Sequence, residues 1–73
     1  MSERTYSAEF ASGFRAVLTL SPAFIQCEWS PGQPGVLRGQ RRRRFLAAYR
    51  AWRNSCVDDF TKQTGITILV VDL

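Results

Sequence analysis

Four consecutive arginines open the one long helical pattern of this sequence, and their chemistry is the most specific that the chain offers. They stand in the stretch GQRRRRFLAAYRAW, residues 39–52, which also contains a fifth arginine nearly two helical turns after the fourth. Guanidinium groups bind phosphates and carboxylates through paired, charge-assisted hydrogen bonds. The predicted residues for binding an anion or a partner are therefore Arg41, Arg42, Arg43, Arg44 and Arg50.

A helix that begins with these arginines is charged against its own dipole. The N-terminal end of a helix carries about half a positive charge, and a like charge in the first turn costs about 0.3–1 kcal/mol at low salt. At the other end Asp58 and Asp59 approach the negative pole, and Lys62 alone offsets them. Stability by itself does not select this arrangement.

Three explanations are open for a helix whose charges oppose its dipole. Acids of the same chain, such as Glu3, Glu9 or Glu28, neutralise the arginines, or the arginine stems cover the aromatic side chains. Alternatively, the helix begins later and part of RGQRRRR is loop. In the functional explanation, the arginines and the free N–H groups form an anion site that a bound phosphate or carboxylate completes. Four consecutive helical residues span about 300° around the axis. All four arginines can therefore converge only at the helix end, while Arg43 and Arg50 align along its side.

Several catalytic chemistries are absent from the sequence. There is no histidine, which excludes His-based triads and His metal sites. The two cysteines, Cys27 and Cys56, are too few for a zinc site and are predicted to be buried free thiols. No glycine-rich phosphate loop with its lysine is present. The sequence predicts a protein that is not an enzyme and holds no metal or cofactor. Among the aromatic residues, only Trp29 stays ambiguous as a base-stacking residue.

Length and composition predict one domain over residues 1–73. Hydrophobic residues make up 45% of the chain, which is too many for a disordered segment. The formal net charge is +4, and nine of the ten cations are arginine, which indicates an anionic partner or an arginine-favouring genome. No signal-peptide pattern and no membrane-spanning stretch are apparent, so a cytoplasmic protein is expected.

Three short alternating segments predict an antiparallel meander. They cover Arg4–Phe10, Phe14–Leu20 and Ala23–Trp29. Gly13 is predicted to take a positive φ in a tight hairpin, and the dipeptide Ser21-Pro22 ends the second strand. The third strand is predicted to face inward with Ile25, Cys27 and Trp29. Residues 30–39, rich in proline and glycine, are predicted to be a loop.

A helix over Gln40–Gln63 and a final strand over Ile66–Val71 complete the predicted fold. The helix has an apolar stripe at spacings of three and four, formed by Phe45, Tyr49, Trp52, Cys56 and Phe60 and widened by Leu46 and Val57. Gly65 is the predicted stop. The fold class is α+β: a small mixed four-stranded βββαβ sheet, in the order three-two-one-four, with one amphipathic helix packed on one face.

A single helix covers one side of such a sheet, so the other face is open to solvent or to a partner. Four residues predicted to lie there are more apolar than a solvated face requires: Val17, Phe24, Leu69 and Val71. These residues are predicted to form an interface, either of a homodimer or with another protein.

The meander followed by a helix with basic first residues, Arg41–Arg44, resembles the second half of a double-stranded-RNA-binding domain over roughly residues 4–56. In that family, cations at the start of this helix hold phosphates across a groove. The resemblance implies direct binding of nucleic acid by the arginine run.

The leading prediction is nevertheless a small, non-catalytic, basic interaction module that binds an acidic protein or a nucleoprotein complex and no membrane. Such chains are typical of the accessory and inhibitor proteins of phages and mobile elements. This one is similar to anti-CRISPR proteins in size and character. Direct nucleic-acid binding is the alternative.

Overall fold

The structure, a computed structural model, describes residues 3–30 and 37–71 and shows an α+β fold. Its elements are β1 (Arg4–Glu9), β2 (Arg15–Leu20), β3 (Ile25–Ser30) and α1 (Gln40–Thr64). The strands form an antiparallel sheet in the order β1-β2-β3, and α1 packs across one of its faces. Within these described ranges, no helix combines the length and the apolar character that crossing a bilayer requires.

The first hairpin depends on a glycine in the left-handed region. Arg4 pairs with Leu20 at one end of the β1–β2 ladder, and Glu9 pairs with Arg15 at the other. The turn closes where the Gly13 N–H, at φ 86°, donates to the Phe10 carbonyl at 2.9 Å. A side chain at this φ would be strained, so Gly13 serves as predicted.

The second hairpin is closed by a serine. The Ser21 N–H donates to the Phe24 carbonyl at 3.0 Å. Its hydroxyl oxygen also accepts the N–H groups of Ala23 and Phe24, at 3.3 and 3.2 Å. Ser21 is buried, and these bonds satisfy its polar group in place of water. The turn aligns Leu20 with Ile25 and thereby sets the register of β3.

The core lies between the helix stripe and the inner face of β2. Its buried side chains are Phe14, Ala16, Leu18, Leu20, Phe45, Tyr49, Cys56, Val57 and Phe60. The predicted stripe is thus confirmed, except that Leu46 and Trp52 are only half-buried. The alternation of the strands also holds, because Tyr6, Cys27 and Trp29 point to the same side as the β2 core residues.

Two details of the predicted core differ in the structure. Ile25, expected to face inward, is 45% exposed, and Cys27 is half-buried rather than buried. Both lie on β3, which is an edge strand of the sheet that the described residues form. An edge strand has fewer side chains around it, and burial is therefore incomplete there. Of the predicted loop over residues 30–39, residues 31–36 lie outside the described part of the chain.

The predicted fourth strand, over residues 66–71, is not shown, and the four-stranded order three-two-one-four is not formed. Helix α1 ends at Gly65, which has φ 75° and donates its N–H to the Thr61 carbonyl at 2.8 Å. After it residues 66–71 form neither helix nor strand, and Ile66, Ile68 and Val70 pack on the core without joining the sheet. The structure thus shows the α+β class with three antiparallel strands and one helix, without the predicted fourth strand.

Candidate partner-binding site at the helix start

The four arginines all lie within the helix, at its exposed beginning. Helix α1 starts at Gln40, which shows that the explanation with a later helix start is wrong. Gly39 stands at the N-cap without a side-chain capping bond, and the first turn contains no acidic residue. The first N–H groups of a helix have no intrahelical acceptor, so this end presents donors as well as cations.

Arg41 and Arg44 share a groove with the turn of the first hairpin. We call this the arginine groove; it has a volume of about 420 Å³ and is lined by Phe10, Ala11, Ser12, Arg41, Arg44, Phe45 and Ala48. Residues three apart on a helix are surface neighbours, so the two guanidinium groups can reach the same ligand. The structure thereby assigns two of the five predicted arginines to one concave surface.

Aromatic packing holds the two sides of this groove together. The Phe10 ring meets the Phe45 ring edge-on with centroids 5.3 Å apart, and it meets the Trp52 ring edge-on at 6.0 Å. Phe14 packs on Phe45 from the sheet side, at 5.1 Å. Edge-to-face contacts at these separations are favourable, so the hairpin turn is anchored to the first turns of α1.

The remaining predicted arginines point elsewhere. Arg43 and Arg50 are seven residues apart, about 20° around the axis, and both are exposed on the side away from the sheet. Arg42 precedes Arg53 by eleven residues, again about 20°, and so lies on the flank of α1 that faces β3. The five predicted residues therefore form one pair in a groove and three separate positions around the helix.

Two of the three acids predicted to neutralise the helix start, Glu9 and Glu28, have other partners. Glu9 forms an ion pair with Arg15 on the open face of the sheet, and Glu28 accepts a hydrogen bond from Gln26 at 3.3 Å. Within residues 3–30 and 37–71, no acidic side chain forms an ion pair with any of Arg41–Arg44. The explanation by internal acids therefore does not hold for the described chain.

One acidic residue near the C-terminal end of α1 has a structural role that the sequence did not reveal. Asp59 accepts hydrogen bonds from the Tyr6 hydroxyl and from the Gln63 amide, both at 2.8 Å. These two bonds, the Tyr6 bond first, lower the pKa of the Asp59 carboxyl. Burial, with the bond to Asp59, raises the pKa of Tyr6 to about 12. Asp59 thus links α1 to β1 through a hydrogen bond, although its negative charge lies unfavourably close to the negative end of the helix dipole.

Both thiols are free and protonated at neutral pH. Burial raises the pKa of Cys56 to about 11, and burial also raises the pKa of Cys27. The Tyr49 hydroxyl donates to the Cys27 sulfur at 3.0 Å, while the Arg53 guanidinium lies 5.6 Å from the centre of the Tyr49 ring. Because the thiolate is the nucleophile, neither sulfur is activated for catalysis. The described residues contain no cluster of three or more metal-ligating side chains.

The four apolar residues predicted for the open sheet face do not lie together on it. Val17 is there, half-buried between polar neighbours such as the Thr5–Thr19 pair. Phe24 lies in the β2–β3 turn, while Leu69 and Val71 lie in the extended segment after α1. The last two instead line a second groove with Ile25, on the β3 flank of the helix. The open face of the sheet is accordingly polar over most of its area.

Comparisons of this chain with protein families, with curated proteins and with solved structures found no match. The resemblance to a double-stranded-RNA-binding domain therefore consists of element order and of the basic helix start alone.

Proposed function

We propose that this protein is a non-catalytic binding module that captures an acidic segment of another protein in the arginine groove. The binding groups are Arg41 and Arg44, with Phe10 and Phe45 beneath them. Carboxylates of the partner pair with the guanidinium groups, and an apolar side chain of the partner packs on the half-buried Phe10 ring, which the buried Phe45 ring supports.

The observation that carries the proposal is the combination, in one groove, of aromatic surface with two arginines that pair with no acid of residues 3–30 and 37–71. A cation without an intramolecular partner, next to free helix N–H groups, favours an incoming anion. The aromatic floor adds a requirement that phosphate cannot meet, because phosphate has no apolar surface to bury. Carboxylates flanking an apolar side chain meet both requirements.

Direct binding of nucleic acid remains the second candidate. Arg42, Arg43 and Arg50 add three more cations around the same helix, and the element order resembles the RNA-binding family described above. In that case the arginines contact phosphates and contribute about equally to the affinity, and the aromatic rings of the groove have no role in binding.

The wider assignment follows from the sequence and belongs to this proposal. A small basic chain without catalytic groups suits an accessory or inhibitor protein of a phage or mobile element, which acts in the cytoplasm on a protein or nucleoprotein complex. A homodimer through the open sheet face was the accompanying prediction, and the polar character of that face gives it little support.

Two double variants with equal charge distinguish the candidates. Arg41→Gln/Arg44→Gln removes both cations of the arginine groove, and Arg42→Gln/Arg43→Gln removes two neighbouring cations outside it. The probes are a fluorescein-labelled ten-residue peptide of aspartate and glutamate with one central leucine, the same peptide with serine replacing that leucine, and a 20-base-pair RNA duplex. Binding is measured by fluorescence anisotropy between 50 and 300 mM NaCl.

For acidic-peptide capture, we expect the groove variant to weaken binding of the leucine peptide at least tenfold and the control variant no more than about threefold. The serine peptide should bind more weakly than the leucine peptide to the wild-type protein. Tight RNA binding with a steep salt dependence, weakened equally by both double variants, would establish the second candidate instead.

A further inference from the structure

We infer that residues 66–71 are a pairing segment through which two copies of this chain form a symmetric dimer. The segment forms neither helix nor strand, and its side chains alternate between half-buried and exposed, which is the two-residue period of an extended chain. Ile66, Ile68 and Val70 are half-buried against the core, whereas Leu69 is 84% exposed and Val71 is 66% exposed. One side of the segment is thus anchored, and the other is presented to solvent.

The backbone of the pairing segment is available for a new strand. Ile66 donates its N–H to the Thr64 hydroxyl at 3.2 Å, but residues 67–71 form no backbone hydrogen bond with another described residue. An extended, β-branched run with unpaired N–H and C=O groups is a template for strand addition. The occupant that satisfies these groups is another extended chain, since a helix has already used its own backbone groups.

The chemistry of the segment favours a second copy of itself. From Gln63 to Val71 there is no charged side chain, so a complementary strand must be apolar and uncharged. In an antiparallel, two-fold arrangement Leu69 stands opposite Leu69 of the second copy, Thr67 opposite Val71, and Ile68 opposite Val70. Each copy then presents the same surface to the other, as a two-fold interface requires, and β-branched side chains form the cross-strand pairs.

The free edges of the sheet are less suitable for such self-pairing. The β1 edge carries Arg4 and Glu9, and the β3 edge carries Glu28. Charged side chains on an edge are a common protection against edge-to-edge association. The pairing segment has no such protection among its own residues.

The arginines of the helix start do not oppose this arrangement. Arg53 lines the same groove as Leu69, and Arg44 lies nine helical residues before it, about 14 Å along the axis. That spacing exceeds the Debye length of about 8 Å at physiological salt, so the charges of the helix start are largely screened at the pairing segment. The pairing is therefore compatible with any ligand of the arginine groove and does not depend on it.

The expected dimer is weak, since a strand pair of six residues buries less than the roughly 800 Å² per partner of a standard interface. We propose sedimentation equilibrium of the purified full chain from about 5 to 500 µM in 150 mM NaCl with reductant. The average mass of the wild-type protein should rise from that of one chain towards that of two. Leu69→Lys, which places two cations opposite each other across the axis, should raise the dimer Kd at least tenfold.

Phe24→Lys is the matched control, because Phe24 is also an exposed apolar residue, at 47%, but lies in the β2–β3 turn. It should leave the dimer Kd within about twofold of wild type. Leu69 makes few contacts in the monomer, so thermal unfolding of Leu69→Lys at low concentration should match wild type, and Val71→Lys provides a second variant. A wild-type protein that stays monomeric at 500 µM would overturn the inference. An unchanged Kd in both lysine variants of the segment would overturn it equally.

Cross-linking tests the register. Leu69→Cys should form an intermolecular disulfide on mild oxidation, located by peptide mapping, whereas Thr67→Cys should not, because its counterpart in the second copy is Val71. The wild-type chain, with Cys27 and Cys56 in place, gives the background. Efficient cross-linking of Thr67→Cys to itself together with none at Leu69→Cys would refute the proposed pairing.

Discussion

Replacing the four arginines of the helix start with glutamine should make the protein more stable. Arginine and glutamine have similar helix propensities, so the substitution changes charge and leaves the helical preference almost untouched. All four side chains are exposed, and none forms an ion pair with a described acid. Each charge in the first turn therefore retains its unfavourable interaction with the helix dipole, and Arg41 and Arg44 repel each other as surface neighbours.

The size of the gain follows from those interactions. Arg41, Arg42 and Arg43 lie in the first turn, where each like charge costs about 0.3–1 kcal/mol at low salt, and the dipole effect declines beyond it. Taking the lower part of that range because the side chains are solvated, we expect a gain of about 1–2 kcal/mol. In a domain of this size, such a gain raises the Tm by roughly 5–10 °C.

The assay is thermal unfolding followed by circular dichroism at 222 nm, in 10 mM and in 500 mM NaCl. The gain should shrink to less than half at high salt, because screening weakens interactions between exposed charges. Lys62→Gln is the control with opposite sign, since Lys62 stands in the last turn, where a cation is favourable. A quadruple variant that is less stable than wild type at low salt would refute this reasoning and would mean that the arginines stabilise the fold through other contacts.

Two further changes test the packing and the link between β1 and α1. In urea unfolding, Trp52→Ala should lower the free energy of unfolding by about 2–3 kcal/mol and Phe45→Ala by about 3–5 kcal/mol. The effect of Trp52→Ala is smaller because Trp52 is only half-buried, whereas Phe45 is 2% exposed. The reverse order would contradict the assignment of the core. Tyr6→Phe removes the hydrogen bond to Asp59 and should lower the Tm at pH 7 by roughly 2–6 °C. That bond lowers the pKa of Asp59 in the folded protein. The stability that it contributes is therefore fully present above the ordinary carboxyl pKa of about 4 and is lost as the pH falls through the pKa of Asp59 in the folded protein. The difference in Tm between wild type and Tyr6→Phe should accordingly narrow in acid. The difference in Tm should also narrow between pH 10 and about 12, because Tyr6 ionises there in the unfolded wild-type chain and not yet in the folded one. A difference in Tm that is constant with pH would show that Asp59 plays no part.

The helix and the two hairpins were predictable because their signals are local. The three- and four-residue spacing from Phe45 to Phe60 defined the buried stripe, and Gly65 defined the stop. Gly13 was identified as a turn residue because a positive φ is a property of one residue and its neighbours. Predictions of this kind need no knowledge of what lies across the fold.

Strand pairing and side-chain partners were decided by the tertiary structure. The apolar run from Ile66 to Val71 predicted a fourth strand that the structure does not show, because whether such a run joins a sheet depends on a distant edge and not on its own residues. Asp59 looked like a solvated helix residue until the fold brought the Tyr6 hydroxyl to it from 53 positions away.

The candidate site shows the same division. The sequence by itself determined that the helix begins with four like charges and that helical geometry spreads them around the axis. Only the tertiary structure decided that Arg41 and Arg44 face the β1–β2 turn and that Glu9 and Glu28 are engaged elsewhere. The physical reason is that charge and periodicity are carried along the chain, whereas a groove exists only where two separate segments pack together.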